Sequence, residues 1–224
     1  MEALDNFAKK QTRVYMFMPN LIGYARVILA FVSFLFLPCC PIIAMICYFL
    51  SCILDALDGT AARRYNQCSQ FGAVLDMITD RFTSSALICY LTKVFPSWTF
   101  VFQFLIALDF SSHYFHMYSS LASGQSSHKI LKEDAPKLLK LYYSDRRVLF
   151  TVCFFNEAYY VLLYLVSAYE GTIFCLKPIA ILSWICLPVY VFKQFLNVIQ
   201  LIGACLNLLE ADEKKIKESQ DKKN

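Results

Sequence analysis

Leu54-Asp-Ala-Leu-Asp-Gly-Thr-Ala-Ala-Arg63 and, shortly after it, Phe71-Gly-Ala-Val-Leu-Asp-Met-Ile-Thr-Asp80 set four aspartates into two apolar segments. Asp55 and Asp58 are three residues apart and Asp76 and Asp80 four apart, so on helices each pair shares one face. If the helix carrying Asp55 begins near Ile42, a rise of ~1.5 Å per residue puts Asp55 about 20 Å along it, and Asp76 and Asp80 about 8 to 14 Å up a returning helix. The two pairs therefore reach a similar depth. Four carboxylates facing one another in a medium of low polarity cannot all stay ionised without cations, and a divalent metal is the natural neutraliser. An all-oxygen set favours Mg²⁺ or Mn²⁺, whereas zinc would recruit Cys or His. Gly59 leaves space for a ligand beside Asp58, Ala61 and Ala62 keep the stretch thin, and the two-armed Arg63 suits a phosphate. Gly72 is expected to let the second and third helices approach at their shared end. Ordinary helix-end charges would account for one such pair; two sets with small residues between them are what a metal site needs.

Outward from this stretch, the composition decides the class. Of 224 residues, 58% are hydrophobic and 17% charged, and the mean hydropathy is +0.49. A soluble chain of this length cannot hide so much apolar surface. With 6 glycines, 7 prolines and 16% aromatic residues, collagen-like and disordered classes fail as well. The 10 cysteines form no CxxC pair and mostly lie inside apolar runs, so they read as small packing residues and not as a zinc module or a disulfide framework. No nucleic-acid motif is present. The expected fold is an all-α integral membrane protein.

Six spans are expected, near 21–37, 42–63, 71–91, 98–121, 148–169 and 173–201, with Pro188 as a kink in the last. Residues 1–18 mix Phe7, Val14, Met16 and Phe17 with Lys9, Lys10 and Arg13 and are expected to lie along the membrane surface as an interfacial helix. The domain division is thus an interfacial segment at 1–18, a six-span domain at 19–205 and a charged cytosolic tail at 206–224. Six spans put both termini on one side. Sixteen of the 21 Lys and Arg fall on that side, against Lys93 and Lys177 opposite, so the positive-inside rule assigns it to the cytosol. Arg26, Arg81 and Lys193 remain within or at the edge of the membrane, where chemistry is expected.

The pattern D-x2-D-G-x2-A-R-x8-G-x3-D-x3-D is the signature of the CDP-alcohol phosphatidyltransferase family, and Asp55, Asp58, Gly59, Ala62, Arg63, Gly72, Asp76 and Asp80 match every fixed position. Pro19-Asn-Leu-Ile-Gly-Tyr-Ala-Arg26 resembles the family's N-x-I-T-x-x-R entry to the first span, with Gly23 where Thr is common. Within the family, Pro19 to Arg26, Gly124 to Lys129, Tyr142 to Arg146 and Asn156-Glu157 are most similar to eukaryotic members that take inositol. The resemblance implies an enzyme with two Mg²⁺ or Mn²⁺ ions, the first on residues matching Asp55, Asp58 and Asp76, the second on those matching Asp55, Asp76 and Asp80. It places CDP-diacylglycerol along Gly59, Arg63 and Ser69 and makes Asp80 the catalytic base. The expected reaction passes the phosphatidyl group to myo-inositol and releases CMP. The expected location is the endoplasmic reticulum membrane with a cytosolic active site, and a homodimer is one arrangement the resemblance allows.

Lys129 and Arg146 are candidates for the acceptor pocket, because related enzymes line it with a Ser/Lys loop and an Arg opening the fifth span. His113 joins them from a stripe with Asp109 and His116 on the fourth span. Topology signals and hydrogen-bonded packing are the plain readings of the same residues. Glu157, deep in the fifth span, needs a partner, for which Arg81, Lys193 and Arg26 are open choices. Tyr142-Tyr143 and Tyr159-Tyr160 are expected to anchor at interfaces or pack between helices. Other acceptors, glycerol 3-phosphate, serine or choline, remain open. A membrane metal transporter is the non-enzyme alternative, disfavoured because the carboxylates sit at one depth beside Gly and Arg.

Overall fold

A computed structural model of the chain describes residues 12–122, 142, 145–169 and 173–221. Among these every regular element is helical: α1 Met18–Phe36, α2 Pro41–Arg64, α3 Gln70–Val94, α4 Thr99–Ala122, α5 Arg146–Ala168 and α6 Ile173–Asp221, with 3-10 turns at Val14–Met16 and Pro96–Trp98. They form two compact units, Met1–Tyr90 and Leu91–Asn224.

In the first unit the polar contacts order the helices. Ser33 Oγ donates to the Ala44 carbonyl at 2.8 Å and Ser51 Oγ to the Arg26 carbonyl at 3.2 Å, a descending sequence that makes α1 and α2 antiparallel. Ala30, Ser33 and Ala44 are fully buried, so this interface is built from small side chains that let the backbones come close. Helix α3 runs parallel to α1, with Phe82 against Phe31 and Phe34 at centroid distances of 5.8 and 6.2 Å.

The turn from α2 to α3 sets where the site begins. Asn66 takes the left-handed conformation at φ 54°. Its N–H reaches the Arg63 carbonyl at 3.4 Å and that of Gln67 reaches the Ala62 carbonyl at 2.9 Å, a Schellman closure that stops α2. Gln67 Oε1 then accepts from the Met18 backbone N–H at 2.9 Å, tying the first turn of α1 to this loop. Ser69 caps α3 by accepting from the Gly72 N–H at 3.0 Å.

The second unit holds a polar seam between α5 and α6. Gln194 Nε2 donates to Asn156 Oδ1 at 2.9 Å, Lys193 Nζ donates to Asn197 Oδ1 at 2.5 Å, and Tyr160 OH donates to Tyr190 OH at 3.2 Å. Gln200 Nε2 reaches across to the Ser112 carbonyl of α4 at 3.2 Å. Tyr142 is buried beneath Lys193, whose ammonium lies 5.6 Å from the ring centre, and Tyr160 packs between helices as expected.

Among the described residues, four helical stretches are long and apolar enough to cross a membrane: Met18–Phe36, Pro41–Arg64, Arg147–Ala168 and Pro178–Asp221. Helices α3 and α4 fall short because the polar residues singled out from the sequence, Asp76, Asp80 and Arg81 in one and Asp109, His113 and His116 in the other, dilute them. Large apolar side chains point outward, among them Leu35 and Trp184, each 72% exposed, and Phe100 at 79%, which suits a lipid surround for a multi-pass chain. Of the expected interfacial segment, residues 1–11 lie outside the described residues, and what is described is the turn at Val14–Met16 followed by an extended Phe17. Helix α6 runs on through Pro178 and Pro188, across position 205 and on to Asp221.

Candidate functional site

The four aspartates converge, and at their centre stands Arg26 of α1. Its Nη1 donates to Asp58 Oδ2 at 2.6 Å and to Asp76 Oδ1 at 2.7 Å. Its Nη2 donates to Asp80 Oδ1 at 2.5 Å and pairs with Asp55 Oδ1 at 2.6 Å. Three of the four carboxylates accept from its terminal N–H bonds and Asp55 pairs with it by charge, an arrangement around a planar fork that no ammonium could reproduce. The side chain of Arg26 is 3% exposed, while those of Asp55, Asp76 and Asp80 are 42, 40 and 35% exposed. The cation therefore forms the floor of the cluster and the carboxylates its open rim. Asp58, at 11%, belongs to the floor, and Arg81 approaches Asp80 Oδ2 from the side at 3.7 Å.

Metal fit can be judged from this donor set. Asp55, Asp76 and Asp80 each offer an oxygen within 4.8 Å of the others. They already surround a positive charge, and all the ligands are hard oxygens, so a divalent Mg²⁺- or Mn²⁺-type ion fits the residues present.

A cavity of about 160 Å³ opens beside the cluster, between α1, α2 and α3, and is lined by Asp58, Gly59, Ser69, Gly72 and Asp76 among others. A Cβ on Gly59 would lie 3.6 Å from Nη1 of Arg63, so that guanidinium runs along a bare stretch of helix at the cavity edge. Gly59 and Ser69, expected together, do line one space, and Asp58 and Asp76 join them to the carboxylates. Gly72 requires a correction. Its missing Cβ makes room for Asn20 Oδ1, which would be 2.7 Å away, so it admits α1 and not α2. Gly23, where the family often has Thr, faces Leu75, whose Cδ2 would lie 2.8 Å from an added Cβ.

The acceptor candidates are less fully described. Lys129 lies outside the described residues. Arg146 opens α5, whose first turn is capped by Asp145 accepting from the Arg147 N–H at 2.8 Å, and its side chain is outside the description. His113, in the second unit, is engaged within its own helix: Nδ1 lies 2.9 Å from the Asp109 carbonyl oxygen and 3.5 Å from its carboxylate. Glu157 accepts from Asn156 Nδ2 at 3.3 Å, and of the partners considered for it Arg26 is engaged by the four aspartates. Sequence reasoning placed Arg26 within or at the edge of the membrane, where chemistry is expected, and offered it as one possible partner of Glu157, not of the aspartates. The signal that finds it is depth: eight residues into α1, at ~1.5 Å each, it stands about 12 Å along, level with Asp76 and Asp80.

The model of the CDP-alcohol phosphatidyltransferase family matches residues 16–209, and the chain belongs to that family. It is 48% identical over 205 residues to the CDP-diacylglycerol–inositol 3-phosphatidyltransferase of Saccharomyces cerevisiae, covering 92% of this chain and 91% of that protein. The human protein of the same name is 42% identical over 200 residues, covering 89% and 94%. A relative from Arabidopsis thaliana, CDP-diacylglycerol–inositol 3-phosphatidyltransferase 1, is 38% identical over 198 residues, covering 84% and 86%. No solved structure matches the chain.

Proposed function

We propose that this protein transfers the phosphatidyl group of CDP-diacylglycerol to myo-inositol, giving phosphatidylinositol and CMP. The observation that carries the reading is the four-aspartate cluster beside a cavity lined by Gly59 and Ser69, with Arg63 next to Gly59, in a chain 48% identical to a protein named for this transfer. Asp55, Asp58, Asp76 and Asp80 would hold divalent ions, two in number. When bound, such ions polarise the phosphorus under attack and neutralise the diphosphate. Arg63 and the bare backbone at Gly59 would seat the diphosphate, and Ser69 would add a hydroxyl at the cavity wall. Asp80, on the exposed rim, would take the proton from the attacking inositol hydroxyl. The new bond forms between that oxygen and the phosphatidyl phosphorus, the phosphoanhydride bond breaks, and CMP leaves. Lys129 and Arg146 would complete the acceptor side, and His113 would support it.

Around this site the reading keeps six spans: α3 and α4 would cross with the four more apolar helices, shielding their polar faces within the protein. The segment at 1–18 would lie at the interface, 19–205 would be the membrane domain and 206–224 a cytosolic extension. Both termini and the site would face the cytosol at the endoplasmic reticulum, and a homodimer is compatible with the reading.

Purified protein in lipid, given CDP-diacylglycerol and each acceptor in turn, tests the reading through CMP release. Inositol should support release, and a metal chelator should abolish it. Release with glycerol 3-phosphate and none with inositol would overturn the acceptor while leaving the family in place.

A further inference from the structure

We infer that Arg26 is a built-in counter-cation of the aspartate cluster, and that divalent ions compete with its guanidinium for the same carboxylates. This rests on the metal site of the proposed function and concerns a residue outside its ligand set. Each of the four carboxylates has an oxygen 2.5 to 2.7 Å from a terminal nitrogen of Arg26. The oxygens of Asp55, Asp76 and Asp80 that suit a metal lie within 4.8 Å of one another, so ion and guanidinium draw on the same small set of charges. Positive charges sharing one set of ligands repel at short range, most of all where water is scarce. The exposure gradient gives the direction of exchange, since the guanidinium lies at the closed floor and an ion can arrive only at the open rim.

A further contact that is missing makes the guanidinium releasable. Arg26 Nε is buried and has no hydrogen-bond partner, so among the described residues the head group is held by the carboxylates alone. Ser51 fixes the Arg26 backbone carbonyl and leaves the side chain to its ion pairs. As ions take over the carboxylate charge, the hold on the guanidinium weakens in step. In their absence the arginine keeps four like charges together, which would otherwise repel and open α1, α2 and α3. Arg26 is thus a positioning residue that sets metal affinity without being a ligand.

The test is a Mn²⁺ titration of the full chain in nanodiscs, followed by electron paramagnetic resonance, with thermal unfolding measured in parallel. Arg26→Gln should bind Mn²⁺ about tenfold more tightly than wild type, because one repelling charge is gone. It should also melt earlier without metal and recover more on adding Mn²⁺. Arg26→Lys keeps the charge but has three N–H bonds for four carboxylates, and should fold and bind about threefold more tightly. Ethylguanidinium added to Arg26→Ala should weaken Mn²⁺ binding, while leaving wild type unaffected. Equal or weaker Mn²⁺ binding in both Gln and Lys variants, with wild type binding normally, would overturn the exchange and leave the metal reading standing. A wild type that binds no Mn²⁺ would overturn both.

Discussion

Asp80 and Asp55 share the guanidinium of Arg26 at Nη2 but are expected to differ in kind when changed. Asp80→Asn keeps the size and one weak oxygen ligand but cannot accept a proton. CDP-diacylglycerol should still bind, and transfer should fall by about 10² to 10⁴, the range for losing a positioned acid or base. Asp55→Asn removes a charge expected to be shared by both ions, so substrate binding and metal response should weaken together; equilibrium binding and single-turnover transfer separate the two variants. Turnover of Asp80→Asn near the wild-type rate at all metal concentrations would remove Asp80 as the base. Gly72 gives a second residue-scale prediction. Gly72→Ala sets a methyl 2.7 Å from Asn20 Oδ1 and 3.1 Å from Ser69 Oγ, and the overpacking should cost about 1 to 3 kcal/mol, read as a lowered melting temperature in detergent. An unchanged melting temperature would mean that the Asn20 amide gives way.

Helix ends, more than helix interiors, position this site. The Schellman closure at Asn66 and the Gln67 bond to the start of α1 bring the first turns of α1 and α3 beside the last turn of α2, where Gly59, Arg63 and Ser69 are found. Asn66→Ala forces a Cβ-bearing residue without a local polar partner into the left-handed region, at a cost of about 1 to 2 kcal/mol. Asn66→Gly should be neutral or slightly stabilising, since glycine occupies that region freely. Thermal unfolding of the pair in lipid checks this, and equal losses in both would trace the effect to the Asn66 side chain and not to its backbone. At this scale the sequence was readable in part. Apolar runs and Pro-rich breaks located the six helices of the described residues to within a few residues, but α6 extends about twenty residues past the expected end of the last span, into the charged tail. Helix formation needs only suitable backbone propensity, which Leu206 to Asp221 has, whereas the expected boundary followed hydropathy, which falls there.

The whole chain, read as six spans, has two distinguishable faces. In a cysteine-depleted background, a single cysteine at exposed Ser219, near the end of α6, should react with an impermeant thiol reagent from the cytosolic side. One at exposed Ser97, in the turn before α4, should react from the opposite side. Labelling of both from one side in sealed vesicles would require an even number of crossings between them and rule out the six-span arrangement.

What the amino-acid sequence determined by itself was the register of chemistry along each helix. The periodicity of an α-helix places Asp55 with Asp58, and Asp76 with Asp80, on one face whatever surrounds them, and the hydropathy of the chain required a membrane around them. Which helix faces that cluster is not a local property. Only the packing of α1 antiparallel to α2 and parallel to α3 brought Arg26 beneath the four carboxylates, 29 to 54 residues away along the chain, and set Asn20 against Gly72. Side-chain spacing within a helix follows from backbone geometry, whereas the partner across an interface is decided by which small residues let two backbones approach, and that is settled only when the helices pack.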